Sequence, residues 1–461
     1  MLDVKTPDSL GWWLSRLSSE LAANRPHYQR LDDYYTGEAP VPAIAARAVR
    51  QAYGRLMRMS RTNFAELIVE ALRERVAPAG FRTGAEGDAV DDRTAWGMWQ
   101  ANSLDADFAL ITSACFSMGV SYAMVGDVDE DLGVPVMTPE DPRQVVTESD
   151  PVRRRKAVAG LKMWCEDGED VAYLYLPGVV YRFMKHATET DVAAFELDDV
   201  MTLVAPIVPI VRFACRPDMY GNARGEFEPH LGILDRINYT VLSRLEIATL
   251  QAFKQRAIKG IPPKDEKGED IDYDDMFSAD PGALWLLPAT AEMWESGQVD
   301  LGPIRQAIRD DVQDLAAVTR TPLFYLSPDA ANGSAEGASL AREGLIFKAK
   351  DRLAQLGESV EQWMSMAFLL AGDTVRASRA DMEVLWSPPE RFTLAERYDA
   401  ASKAQAAGVP WRTTMEQVLQ FSPQDIERME AERAADALLA PALPELFTQM
   451  PTRMPANAPA P

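Results

Sequence analysis

The chain has 461 residues, of which 47% are hydrophobic and 25% charged; this is the balance of a folded protein with room for two or three cores. Its 70 acids against 47 bases give a net charge of −23, which excludes a protein that grips nucleic acid through surplus lysine and arginine. No apolar run of about 18 residues is present to span a bilayer, and "MLDVKTPDSLGWW" has neither the basic start nor the apolar core of a signal peptide, so the expectation is a soluble protein made in a cytoplasm.

The chain reads as helical roughly to Arg82. In the opening segment a Ser9 cap signal precedes Leu10, Trp13, Leu14, Leu17 and Leu21 at helical spacing. A second helix is predicted in "NFAELIVEALRERVAPAGF", where Asn63 and Glu66 have the spacing of a capping box. A third, "DADFALITSACFSMG", stops at Gly119. The period then changes to two. "VSYAMVGDVDEDLGVPVMT" predicts two strands around an acidic turn, and strands continue through "PRQVVTESDPVRRRKAVAGLKMWCE", "DVAYLYLP" and "VVYRFMKH" to the extended "PIVPIVRFACRP". The fold class expected is α+β.

From Gly225 onward helices dominate. Leu231, Leu234, Asn238, Val241, Leu245 and Ala248 form one stripe, read as a helix of about thirty residues and roughly 45 Å. A Pro-, Gly- and Asp-rich segment follows, with a strand signal at Leu284–Leu287. Across Ala257–Asp300, three lysines against eleven acids leave a local net of −8. Ile304, Ile308, Val312 and Leu315 mark another amphipathic helix, and a long one is expected from about Ser334 to about Leu370, with a bend at Gly344 or Gly357. Three shorter helices start near Thr393, Thr413 and Ser422-Pro423, before a Pro- and Ala-rich tail.

Residues that usually carry chemistry are scarce. Cys115, Cys165 and Cys215 are scattered and read as free thiols. His27, His186 and His230 sit in no metal-binding or triad motif, and GxSxG is absent. "NGSAEG" lacks the GK[ST] of a phosphate loop, and "DVDEDLG" offers Leu132 where a calcium loop needs Gly and Thr138 where it needs Glu. The run Arg153, Arg154, Arg155, Lys156 reads as a solvated turn that could also meet phosphate or a neighbour's acids.

The order helix, small acidic insertion, helix, pliable loop, long helix, small helical bundle resembles the portal proteins (head-to-tail connectors) of tailed bacteriophages with long non-contractile tails. "LDDYYTGEAP" resembles that family's early "Y-Y-x-G", Asn63–Arg82 its "N…V…RV…GF", "GVSYAMVGDVDE" its "G-x-AY-x-V", and "TRTPLFYLSPDAANGSAEGASL" its "T-x-x-P…SG-x-AL". The resemblance covers about Leu31 to Ala435. It implies a portal-type subunit: an α+β wing (1–224), a first stem helix (225–256), a small α/β clip (257–300), a second stem helix (301–320), a tunnel loop (321–337), a long helix with a return to the wing (338–390), a helical crown (391–440) and a disordered tail (441–461).

The resemblance further implies a homo-oligomeric ring, typically a dodecamer, at one capsid vertex. Double-stranded DNA would pass through it without sequence specificity during packaging and ejection. The partners implied are a terminase motor, a head-tail adaptor, and the major capsid and scaffolding proteins, with no membrane, no cofactor and no catalysis. The place implied is the virion's portal vertex, after synthesis in the host cytoplasm. Pro328, Asp329, Asn332, Gly333, Ser334, Glu336 and Gly337 are the candidate channel residues. Small side chains would let identical loops share one axis, where large ones would collide. Lys264, Asp265, Glu266, Asp270, Asp272, Asp274 and Asp275 are the candidate docking residues of the clip. Its acidity either repels phosphates or attracts a basic motor or adaptor. A metal-dependent, nuclease-like phage enzyme and an assembly protein without a pore are the alternatives.

Overall fold

The structure is a computed structural model; it describes residues 2–41, 54–85, 92–252, 256–261, 264, 268, 291–295, 297–327, 335–390, 394–421 and 423–439. Helix α1 (Leu10–Tyr35) starts where the Ser9 hydroxyl accepts the Trp12 N–H at 3.2 Å. It runs through Pro26. Leu14, Leu17 and Leu21, before the proline, pack on one core, whereas Leu31 and Tyr34, after it, pack on another. Helix α2 (Phe64–Arg73) begins at Asn63, whose side-chain oxygen accepts the Glu66 N–H while its amide donates to the Glu66 carboxylate at 2.7 Å.

Two antiparallel sheets follow. Strands β2 (Val120–Val128), β3 (Pro135–Glu140) and β9 (Ile210–Ala214) form one, ordered β3-β2-β9. Strands β4 (Val145–Ser149), β5 (Ala157–Glu166), β6 (Glu169–Leu176), β7 (Val179–His186) and β8 (Glu196–Thr202) form the other, in chain order. Side-chain alternation sorts the layers. Val120, Tyr122 and Met124 of β2 point to the five-stranded sheet and meet Val145, Tyr175 and Val180. Ala123 and Val125 point the other way, into the main core with α4 (Leu104–Met118) and α7 (Ala335–Leu370). Ala172, Leu174 and Phe183, on the far face of the five-stranded sheet, lie under α1.

An aromatic cluster locks α7 onto β2. The buried Trp363 indole donates to the Met124 carbonyl at 3.0 Å and meets Trp99 and Phe213 edge-on, with ring centroids 6.1 and 6.2 Å apart. Its 36 residues run as one helix through Gly344 and Gly357. At Gly357 the helix passes close to Val384 and Trp386, which an added Cβ would meet at ordinary contact distance. Those residues belong to β12 (Glu383–Trp386), which pairs with β1 (Pro78–Arg82) and returns the chain to the N-terminal part.

Several sequence expectations need correction. The first helix after Gly225 is a 22-residue α5 (Leu231–Ala252), preceded by a 3-10 turn at Glu228–His230. Its expected end lies in a strand, β10 (Arg256–Lys259), which pairs with β11 (Glu292–Glu295); Pro262 and Pro263 follow, and a proline has no N–H to extend a helix. Strand β1 falls at the end of the part read as helical, from the "APAG" at which the second predicted helix stops; Pro78 and Gly80 disfavour helix there, and β12 supplies a pairing partner. Helix α3 (Arg93–Ala101) and strand β8 were not anticipated. Helix α7 begins at Ala335, so Glu336 and Gly337 belong to its first turn rather than to a loop. In the C-terminal part, α8 (Leu394–Ala406) and α9 (Pro423–Leu439) flank a turn that opens at Trp411, after Pro410, not at Thr413, and widens into a π-helical segment at Thr414–Val418. The strand signal at Leu284–Leu287 and the tail 441–461 lie outside the described residues.

Candidate functional site

Helices α5 and α6 (Gly302–Thr319) form an antiparallel hairpin. Leu234, Ile237, Val241 and Leu242 of α5 and Val312, Leu315 and Ala316 of α6 are buried. Beyond them, from Leu245 and before Ile308, no described side chain of either helix is buried. The hairpin therefore roots its near half in the core and extends its far half. Arg236 pairs with Asp311 at 2.8 Å near the root, and Gln251 donates to the Val299 carbonyl at 3.1 Å near the tip. The β10–β11 ribbon sits at that tip.

The root is tied to the N-terminal part by two side chains of α5, Asp235 and Asn238. Tyr34 donates to Asp235 at 2.5 Å, joining α1 to α5; burial, then the Asp235 carboxylate, pushes this phenol up to about 12. The next residue, Tyr35, donates to Glu70 of α2 at 2.9 Å. The buried Asn238 side chain accepts both the Thr62 N–H, at 2.9 Å, and the Thr62 hydroxyl, at 2.7 Å. The "YY" of the early motif thus holds two neighbouring helices.

At the C-terminal end of α6, also at the root, lies an ion cluster that the sequence reading missed. Glu226 is 1% exposed at its side chain; Lys348 reaches it at 2.8 Å and Arg352 at 2.5 Å. Lys348 also donates to the Thr319 carbonyl at 3.0 Å, at the C-terminus of α6, where the helix dipole favours a cation. Cys215 donates to Glu226 at 3.2 Å. Burial opposes ionisation of Glu226, but Lys348 and Arg352 outweigh it and hold the carboxyl at about 2. Burial, then the Glu226 charge, raises the Cys215 thiol well above its usual range, so it stays a neutral donor. A signal was available: Lys348 and Arg352, four residues apart, fall on the stripe that carries Leu345 and Leu356, and buried cations need a buried acid.

A polar hollow of about 370 Å³ opens beside this cluster, lined by Arg216, His230, Arg320, Lys348, Asp351 and Arg352 among others. His230 is lowered by burial and by Arg216 and Lys348. Nothing here pairs a nucleophile with a base. Among the described residues no group of three or more His, Cys, Asp or Glu side chains is placed to hold a metal ion. The "DVDEDLG" segment is a tight turn, with the Asp129 carboxylate accepting the Asp131 and Leu132 N–H groups at 2.8 and 2.9 Å.

Of the candidate channel residues, Pro328, Asp329, Asn332, Gly333 and Ser334 lie outside the described residues, and Glu336 and Gly337 are helical. Of the clip residues, Asp265, Glu266, Asp270, Asp272, Asp274 and Asp275 lie outside them, and Lys264 is exposed at an isolated β-bridge.

The family "Phage portal protein, SPP1 Gp6-like" matches residues 14–437, nearly the whole described chain. The chain belongs to that portal family. The match begins within α1, earlier than the Leu31 from which the resemblance was drawn. The portal protein of Mycobacterium phage D29 is 28% identical over 387 residues, spanning 81% of this chain and 78% of its own. That of Mycobacterium phage L5 is 27% identical over 403 residues, spanning 85% and 80%. Two solved assemblies are also similar: a chain of the "Neck of empty GTA particle computed with C6 symmetry" (TM-score 0.47, 14% identity, 82% of this chain and 94% of that one) and one of the "Neck of native GTA particle computed with C12 symmetry" (0.43, 14%, 84% and 97%). As a phage portal protein, the chain is a structural, head-to-tail connector component of the virion head. No helix among its described residues is long and apolar enough to cross a membrane.

Proposed function

We propose that this portal chain assembles into a closed homo-oligomeric ring, a dodecamer in its working form, whose bore passes double-stranded DNA during packaging and ejection. The supporting observation is the α5–α6 hairpin, rooted in the body by Tyr34, Asn238 and Lys348 and left unburied over its far half. Copies arranged around an axis would give such a hairpin neighbours along its far half. In this reading α5 and α6 are the stem (225–256 and 301–320), the β10–β11 ribbon belongs to the clip (257–300), and α8 and α9 belong to the crown (391–440). Residues 328–334 face the bore, the clip meets the terminase motor and then the head-tail adaptor, and the body meets capsid and scaffolding proteins after synthesis in the host cytoplasm.

The net charge of −23 suits passage. A duplex carries one charge per about 1.7 Å of axis, and an acidic wall repels it from all sides without fixing a register. The test is an Asn332→Trp substitution. Rings should still assemble, and DNA packaging should fall because large side chains crowd the axis. Normal packaging by that variant would sink the placement of the loop.

A further inference from the structure

The wing carries two exposed surfaces of opposite charge. The first is β8, an edge of the five-stranded sheet. Leu197 faces Phe183 and Val200 faces Tyr181 across the β7–β8 pairing, so both lie on the α1 side of the sheet. Yet no residue of β8 joins the core under α1, and Leu197 and Val200 are each 48% exposed. Glu196 and Asp199 face Met184 and Arg182 and so lie on the opposite face of the strand, Asp198 pairs with Arg182 at 3.2 Å, and all three are exposed. An uncovered apolar edge strand invites pairing, but pairing with its own copy would bring these acids together, which is unfavourable.

The second surface is the turn between β4 and β5. Val152 is 89% exposed there, and Arg153, Arg154, Arg155 and Lys156 surround it. The side chains of Arg153, Arg155 and Lys156 have no hydrogen-bond or ion-pair partner among the described residues. Beside the turn runs a shallow hollow of about 680 Å³ with an apolar floor of Ile207, Met366 and Leu369. A floor of this kind suits a polypeptide better than a phosphate backbone, and the surplus cations call for carboxylates.

A closed ring needs a heterologous contact, in which one patch meets a different patch on the next copy. We infer that β8 of one copy enters edge-on the hollow beside the Val152–Lys156 turn of its neighbour, with Glu196 and Asp199 on one face of the strand toward Arg153, Arg155 and Lys156 and with Leu197 and Val200 on the other face toward the apolar floor. The partner is a second copy of this chain, and the inference rests on the ring reading above.

The test uses full-length protein in a Cys165→Ser background, because Cys165 is exposed. Lys156→Cys and Glu196→Cys are introduced together and, separately, one at a time. After mild oxidation the double variant should give a covalent ladder reaching the full ring; each single variant alone should give none, and the two singles mixed should give dimers. In parallel, Arg153→Glu with Arg155→Glu and Lys156→Glu should abolish rings, and adding Glu196→Lys with Asp199→Lys should restore them. The pairing is overturned if unmodified protein closes into rings by electron microscopy while the double variant, also in rings, gives no ladder. It is equally overturned if the charge reversal spares ring closure and instead abolishes retention of a double-stranded DNA fragment, which would make the turn a phosphate contact. Absence of rings from unmodified protein, even with DNA and scaffold supplied, would overturn the ring reading itself.

Discussion

Lys348 of the long helix lies 2.8 Å from Glu226 and, through the same ammonium group, 3.0 Å from the carbonyl that ends α6. One side chain thus joins the segment just before α5, the C-terminal end of α6 at the root of the hairpin, and the long helix α7. Replacing Glu226 by Ala leaves Lys348 buried without an anion and Arg352 with only the exposed Asp351. Removing one partner of a buried ion pair costs about 3–5 kcal/mol, so the thermal unfolding midpoint should fall sharply. Replacing Glu226 by Leu and both cations by Met should recover most of that loss, since an apolar set of similar volume needs no counter-charge. A Glu226→Ala midpoint equal to that of the unmodified chain would deny the cluster its anchoring role.

The same carboxyl sets a pH dependence. It titrates near 2 in the folded chain against its usual 4.5, so as pH falls the unfolded chain takes up the proton first. The stability Glu226 contributes is whole above about pH 5 and drains away between 4.5 and 2. Unfolding free energy measured from pH 6 to pH 3 should therefore fall more steeply for the unmodified chain than for Glu226→Gln, which cannot titrate. Parallel slopes would contradict the paired, ionised state.

Position 225 admits only glycine. A Cβ there would collide with the Ser117 carbonyl at the end of α4, and the displacement would carry Glu226 with it. Gly225→Ala should lower stability, whereas Gly97→Ala, with nothing near its added Cβ and in the middle of α3, should raise it by about 0.5–1 kcal/mol. Chemical denaturation of the two variants makes the comparison.

Much of this was legible in advance. The hydrophobic period placed α1, α2, α4, both hairpin helices and the long helix, and cap signals at Ser9 and Asn63 marked the starts of the first two. The alternation of "VSYAMV" and "DVAYLYLP" placed the sheets. What escaped depends on partners far away in sequence. Strand β1 is a strand because β12, about 300 residues later, pairs with it, and β8 is an exposed edge with little alternation to detect. The ion cluster joins Glu226 to residues more than a hundred positions away, and no local pattern encodes that meeting. The early Tyr34-Tyr35 motif could be matched from sequence, but its work in tying α1 to α5 and α2 emerges only from the packing.

Thiol chemistry offers a direct check on the core. Burial pushes Cys115 up to about 12 and Cys215 well above its usual range, whereas Cys165 is exposed. At pH 8, iodoacetamide should modify Cys165 in the native protein and reach the other two only after denaturation. Equal labelling of all three in native protein would contradict the packing of α4 against β9.

The most direct measurement of the account is a cryo-electron microscopy reconstruction of rings formed by the full chain. The expected result is a closed ring with α5 and α6 of every copy around a central bore and residues 328–334 at its narrowest point. A closed assembly whose hairpins point away from the axis, or one with no bore, would contradict it.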